Sequence, residues 1–277
     1  MIWQADFYRR PIKDEAGQSL WELLISDSTS DFTYQAFCPQ SQVNANWLVE
    51  QLQQALKKVS PEHKPEKIQV FRPQSLSLME TAAQKLGITV EATRRTETLK
   101  ARLKTRKYPQ TGEPFNPIAL EKPPPVPLPE KLWGEKWRFA TLMASDITDS
   151  FAGQPMPILE MPEFLLPINL GIASNLPVPG VVIDGGKQSL RLARWIQESR
   201  PVALNYIPGA PDGLILEAGL VDRWIVATFA DEEVTVAAKI FAQRKQETKG
   251  LHFLLVQPDD SGMTYSGFWL LQNVAEG

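Results

Sequence analysis

The sequence predicts an α/β protein of two domains, each a mixed sheet with flanking helices. Three observations predict this. The first hundred residues read as β-β-β-α-β-α-β, a proline-dense segment then interrupts the chain, and strands and helices alternate again beyond it. The length of 277 residues suits two domains, and 43% hydrophobic content supplies a core for each. A charged fraction of 22% is ordinary for a globular chain and excludes wholesale disorder.

The N-terminal elements follow in order. Residues 3–9 and 20–26 read as strands around the turn-prone Asp14-Glu15-Ala16-Gly17. Residues 32–38 alternate Phe32, Tyr34, Ala36 and Cys38 and read as a third strand. Asn44 or Asn46 caps a helix over 47–59, with Leu48, Leu52, Ala55, Leu56 and Val59 on its apolar face. A short strand at 67–71, a helix at 77–86 closed by Gly87, and a strand at 88–91 complete the set. Three meandering strands followed by alternating units imply a mixed sheet with helices packed on it. The order is similar to the ribonuclease-H-like fold.

Pro114, Pro117, Pro123, Pro124, Pro125, Pro127 and Pro129 crowd the next segment. Proline lacks an N–H and fixes φ, so this stretch suits an extended spacer rather than a helix or central strand. The spacer is placed at 108–132, between an N-terminal domain at 1–107 and a C-terminal domain at 133–277. In the latter, strands are expected at 137–144, 155–161, 181–183, 202–206, 214–217 and 223–228. Helices are expected at 189–199 and 231–249, the second with Asp231, Glu232 and Glu233 at its positive end. Residues 251–256 and 266–271 suit a closing hairpin across Asp259-Asp260-Ser261-Gly262. A loose duplication of one α/β unit is compatible with this order.

Several chemistries are excluded or weakened. A single cysteine, Cys38, rules out an intramolecular disulfide framework and multi-cysteine metal sites. His63 and His252, the only histidines, have no catalytic setting. Gly-x-Ser-x-Gly and the P-loop spacing are absent, although Gly185-Gly186 before Ser189 suits either a phosphate turn or a plain strand–helix connection. A two-metal nuclease needs three or four converging carboxylates. Asp6 and Glu50 fall at the first two places, but the fourth strand ends in Arg72-Pro73-Gln74 without an acid. Asp146, Asp149 and Asp184 lie near strand ends in the second half. No apolar run suits a membrane span, and the N-terminus carries neither a signal nor a transit-peptide composition, so a cytoplasmic location is expected. No cofactor is called for.

Charge is unevenly spread. Residues 94–107 hold seven Lys/Arg (Arg94, Arg95, Lys100, Arg102, Lys104, Arg106 and Lys107) against Glu97, a balance of +6 in a chain whose total is −3. The remainder is therefore −9. As a helix the segment has a thin apolar stripe of Leu99 and Leu103. It reads either as a solvated helix or as a phosphate-binding surface, with Tyr108 placed to stack on a base.

Certain short motifs resemble one family along most of the chain. They are Trp3-Gln4-Ala5-Asp6-Phe7-Tyr8-Arg9-Arg10-Pro11, Trp21-Glu22-Leu23-Leu24, Gly219-Leu220-Val221-Asp222-Arg223-Trp224 and Gly267-Phe268-Trp269-Leu270-Leu271-Gln272. The family is the Tab/Atab-type RNA-binding proteins of cyanobacteria and chloroplasts. The resemblance implies non-catalytic binding of A/U-rich single-stranded RNA in support of photosystem I message translation and photosystem biogenesis. It marks the Trp269-Leu270-Leu271 tripeptide as the family hallmark, and the missing transit peptide gives this copy a cyanobacterial look. Translation or photosystem-assembly proteins are the partners it implies. Alternation on a strand sends Trp269 and Leu271 to one face and Leu270 to the other, which fits either a core or a contact role. Two other readings stand beside this one: a protein-binding assembly adaptor on a degenerate nuclease-like scaffold, and a metal-dependent nuclease.

Overall fold

The computed structural model describes residues 1–29, 31–108, 115–151 and 153–273. The chain divides into two units, Met1–Glu121 and Lys122–Gly277.

The first unit contains β1 (Ile2–Lys13), β2 (Ser19–Asp27), β3 (Thr33–Pro39), α1 (Ala45–Leu56), β4 (Lys67–Val70), α2 (Pro73–Gln84), β5 (Thr89–Ala92) and α3 (Glu97–Thr105). Its five strands form one sheet in the order β3-β2-β1-β4-β5. The β1–β2 and β2–β3 pairs are antiparallel, and β1–β4 and β4–β5 are parallel. The predicted order β-β-β-α-β-α-β is observed, with α3 following it. Asn44 is the cap of α1, its side chain accepting from the Trp47 N–H. Pro73 occupies the first turn of α2, where its missing N–H costs nothing, so this helix starts earlier than the apolar pattern suggests.

Strand alternation divides β1 into two chemistries. Trp3, Ala5 and Phe7 join Leu23 and Ile25 of β2 in a core closed by Leu48, Leu52 and Ala55 of α1 and Met79, Ala82 and Ala83 of α2. The intervening Gln4, Asp6 and Arg10 are buried as well, but on the face that α3 covers. There Leu99 and Leu103 pack with Leu24, Phe71 and Ile118. One backbone donor at the start of α3, the Leu99 N–H, is satisfied by Gln4 Oε1 at 3.0 Å.

The second unit runs β6 (Val126–Pro127), β7 (Lys136–Met143), α4 (Asp146–Phe151), β8 (Ile158–Glu160), β9 (Pro177–Asp184), α5 (Ser189–Ser199), β10 (Pro201–Ile207), β11 (Asp212–Ala218), β12 (Asp222–Phe229), α6 (Glu232–Glu247), β13 (Leu251–Gln257) and β14 (Gly267–Gln272). Its strands form two sheets, β10-β11-β12-β6 and β7-β9-β13-β14-β8. These orders differ from that of the first unit, so the topology does not support a duplicated unit. Residues 109–114 of the proline-dense segment lie outside the described residues. Ile118 is buried in the first unit, whereas Val126–Pro127 form an edge pairing with Trp224 and Ile225 in the second. Asp231 caps α6, accepting from the Glu233 and Val234 N–H groups. Among the described residues, no helix is long and apolar enough to cross a membrane.

Candidate nucleic-acid interface

The basic segment 94–107 lies in the first unit, with α3 docked on the polar face of the sheet. Docking sorts its cations. Lys104 and Lys107 stay exposed, while Arg94, Arg95, Lys100, Arg102 and Arg106 are half-buried. Arg102 Nε donates to Ser26 Oγ at 2.9 Å, and Arg106 Nη1 pairs with Glu22 Oε1. Lys100 Nζ donates to the Arg94 carbonyl and lies 5.4 Å from the Phe71 ring centroid. Burial pulls the Arg95 pKa below its ordinary value, against the opposing charge of Glu97. Tyr108 is half-buried too: its hydroxyl donates to Glu22 Oε2 at 3.0 Å and its ring meets Phe115 edge-on at 5.2 Å. Burial pushes the Tyr108 phenol up to about 12. The stacking role expected of Tyr108 thus competes with contacts that already hold it.

Beneath α3 lies a buried ionic network. Arg10 donates through Nε to Glu22 at 2.8 Å and through Nη2 to Asp6 at 2.7 Å. Arg72 Nε donates to the other Asp6 oxygen at 2.9 Å, while its Nη1 and Nη2 reach the Ala119 and Pro117 carbonyls, each at 2.8 Å. Burial works against the Arg10 charge, but Asp6, Tyr108 and Glu22 outweigh it and raise its pKa. With Arg106, three cations face two carboxylates among the described residues, a surplus of one positive charge. Charges so buried persist only when paired and hydrogen-bonded. The sequence reading missed Arg10 and Arg72 as interior residues. Its available signal was the cluster Arg9, Arg10 and Lys13 on a strand otherwise rich in core residues.

Other sequence candidates resolve differently. Both oxygens of Asp6 accept from arginines, and no group of three or more His, Cys, Asp or Glu suited to a metal occurs among the described residues. The Gly185 and Gly186 N–H groups donate to the Gln257 and Pro258 carbonyls, and a Cβ at Gly186 would meet the Glu135 carboxylate at 1.9 Å. That turn therefore serves as a strand–helix connection, not a phosphate cradle. Asp146 and Asp149 lie in α4, shortly after the end of β7. Asp184 pairs with Arg138 at 2.7 Å. His252 is a neutral core histidine: Nε2 accepts from the Leu204 N–H at 2.8 Å, and Nδ1 sits 2.8 Å from the Gly250 carbonyl.

The motif residues of the second unit are largely structural in setting. Trp269 and Leu271 are buried in one core, with Leu192, Ala193, Leu254 and Val256. Leu270 is buried in another, with Phe253, Phe268 and Val178. The alternation expected of the tripeptide is observed, with all three side chains inside the protein. Asp222, Arg223 and Trp224 open β12. Trp224 packs on the same core as Trp269 and meets Trp195 edge-on at 5.1 Å.

The family model described as the RNA-binding protein Tab2/Atab2 N terminal matches residues 2–106, and that of the RNA-binding protein Tab2/Atab2 C-terminal domain matches 115–272. The chain belongs to the Tab2/Atab2 family. A relative named Protein TAB2 homolog, chloroplastic, from Arabidopsis thaliana is 27% identical, covering 97% of this chain and 74% of its own length. A protein of the same name from Zea mays is also 27% identical, covering 97% of this chain and 70% of its own. A chain of a solved simian T-cell lymphotropic virus intasome, in complex with a PP2A regulatory subunit, matches at TM-score 0.27 and 17% identity over 38% of each chain, too weakly to inform fold or function. Both Tab2/Atab2 regions are present here, and α3 falls within the N-terminal one.

Proposed function

We propose that this Tab2/Atab2 chain binds A/U-rich single-stranded RNA without cleaving it, in support of translation or biogenesis of photosystem proteins. The observation that carries the reading is the match of both halves to models of an RNA-binding family. Two relatives named as chloroplastic proteins suit a photosynthetic role. Translation or assembly factors are the protein partners this role calls for.

The geometry offers a physical basis. Lys104 and Lys107 are exposed near the end of α3, and each phosphate they neutralise releases counterions. Preference among single strands arises from stacking and backbone shape rather than from groove readout. Asp6, the first position a metal-dependent nuclease would use, is committed to Arg10 and Arg72.

The test is the affinity of wild type and a Lys104→Glu, Lys107→Glu variant for an A/U-rich strand. The variant is expected to bind more weakly at unchanged melting temperature, with a salt slope flatter by roughly two. Unchanged affinity in a folded variant would sink the role of this helix.

A further inference from the structure

We propose that a pocket at the end of β1 seats one phosphate of the bound strand on Arg9, Arg10 and Lys13, with the adjoining base against Phe115. The proposal rests on the RNA-binding reading and deepens it. Four observations carry it.

First, the pocket has a volume of about 520 Å³ and is lined by Tyr8, Arg9, Arg10, Lys13 and Phe115 among others, with no carboxylate among the described residues that line it. That volume falls within the range of roughly 300–1,000 Å³ typical of small-molecule sites. Second, Arg10 is only 1% exposed, and its Nη1 is buried without a hydrogen-bond partner among the described residues. Nε and Nη2 are held by Glu22 and Asp6, so the guanidinium is fixed and one nitrogen, Nη1, is left over. Native proteins seldom leave such a donor unmet, and a phosphate oxygen supplies both the acceptor and the charge. Third, among the described residues the network behind Arg10 carries more cations than acids, which favours an incoming anion.

Fourth, the β1–β2 register shifts between Arg9 and Lys13. A bulge of this kind re-aims side chains and is over-represented beside functional sites. Pro11 falls inside it, where its missing N–H interrupts no regular pairing. Arg9 and Lys13 are exposed and so supply mobile cations around the fixed Arg10. The Tyr8 ring is covered by Arg72 at 4.0 Å, which leaves Phe115 as the aromatic surface for a base.

The experiment titrates a short A/U-rich strand into wild type, an Arg9→Gln, Lys13→Gln variant, and a Lys57→Gln, Lys64→Gln control. The control removes equal charge from exposed residues that do not line the pocket. The pocket variant is expected to bind roughly tenfold more weakly, with the salt slope reduced by about two, and the control less than about twofold more weakly. Equal loss in both variants, or loss in neither, overturns the pocket while wild-type affinity keeps the RNA-binding reading. Wild type that binds no strand sinks that reading and, with it, the seating of a strand phosphate. In that event 5′-AMP reads the site itself, and binding lost in the pocket variant retains it as an anion site. Where strands do bind, 5′-AMP as tight as the strand assigns the pocket to free nucleotides and overturns the strand phosphate.

Discussion

Asp6 stands on the first strand, where a ribonuclease-H-type nuclease needs a metal-binding carboxylate, yet Arg72 and Arg10 occupy its two oxygens. The residue type was legible in the sequence and its pairing was not, because Arg72 lies 66 residues away in the chain. His252 was legible as a non-catalytic histidine, and its setting gives a pH dependence. Burial, reinforced by the charge of Lys245 and opposed by the Gly250 carbonyl, pulls its pKa from 6.5 to about 3. The unfolded chain therefore takes up a proton below pH 6.5 that the folded chain refuses. The resulting stabilisation is complete above that pH and is lost progressively as pH falls towards 3. Urea midpoints measured between pH 7 and 5 are expected to fall more steeply for wild type than for His252→Gln. Parallel curves would contradict the neutral, buried assignment.

At the scale of elements, α5 spans the predicted 189–199, because its apolar stripe and solvent face differ sharply. By contrast β9 runs Pro177–Asp184, well beyond the predicted 181–183. Pro177 and Pro179 fall where β9 pairs with β7, and its pairing with β13 begins at Gly180. The six-residue α4, for which the sequence suggested no element, buries only Ile147 and Phe151 among its described residues. The Leu99–Leu103 stripe of α3 was visible, but the inward turn of Arg102 and Arg106 depends on Ser26 and Glu22, 76 and 84 residues away.

The tripeptide strand β14 is a packing element. A Cβ at Gly267 would already meet the Trp269 ring at 2.4 Å. Leu270→Ala is expected to cost about 2–5 kcal/mol by urea unfolding, while the folded fraction binds RNA as wild type does. A variant of wild-type stability that loses RNA affinity would instead make Leu270 a contact.

For the whole molecule, a net charge of −3 divides into a −9 body and a +6 segment. Folding divides the segment again. Part of its charge closes over the ionic network, and Lys104 and Lys107 remain exposed in one region while Arg9 and Lys13 rim the β1 pocket. Charge patterning along the chain was therefore a poor guide to which cations meet solvent. The most direct test is the affinity of the intact chain for A/U-rich and G/C-rich single strands at low and high salt. The account predicts tighter A/U-rich binding that weakens steeply with salt, with the strand recovered uncut. Equal affinity that is insensitive to salt, or a cleaved strand, would contradict it.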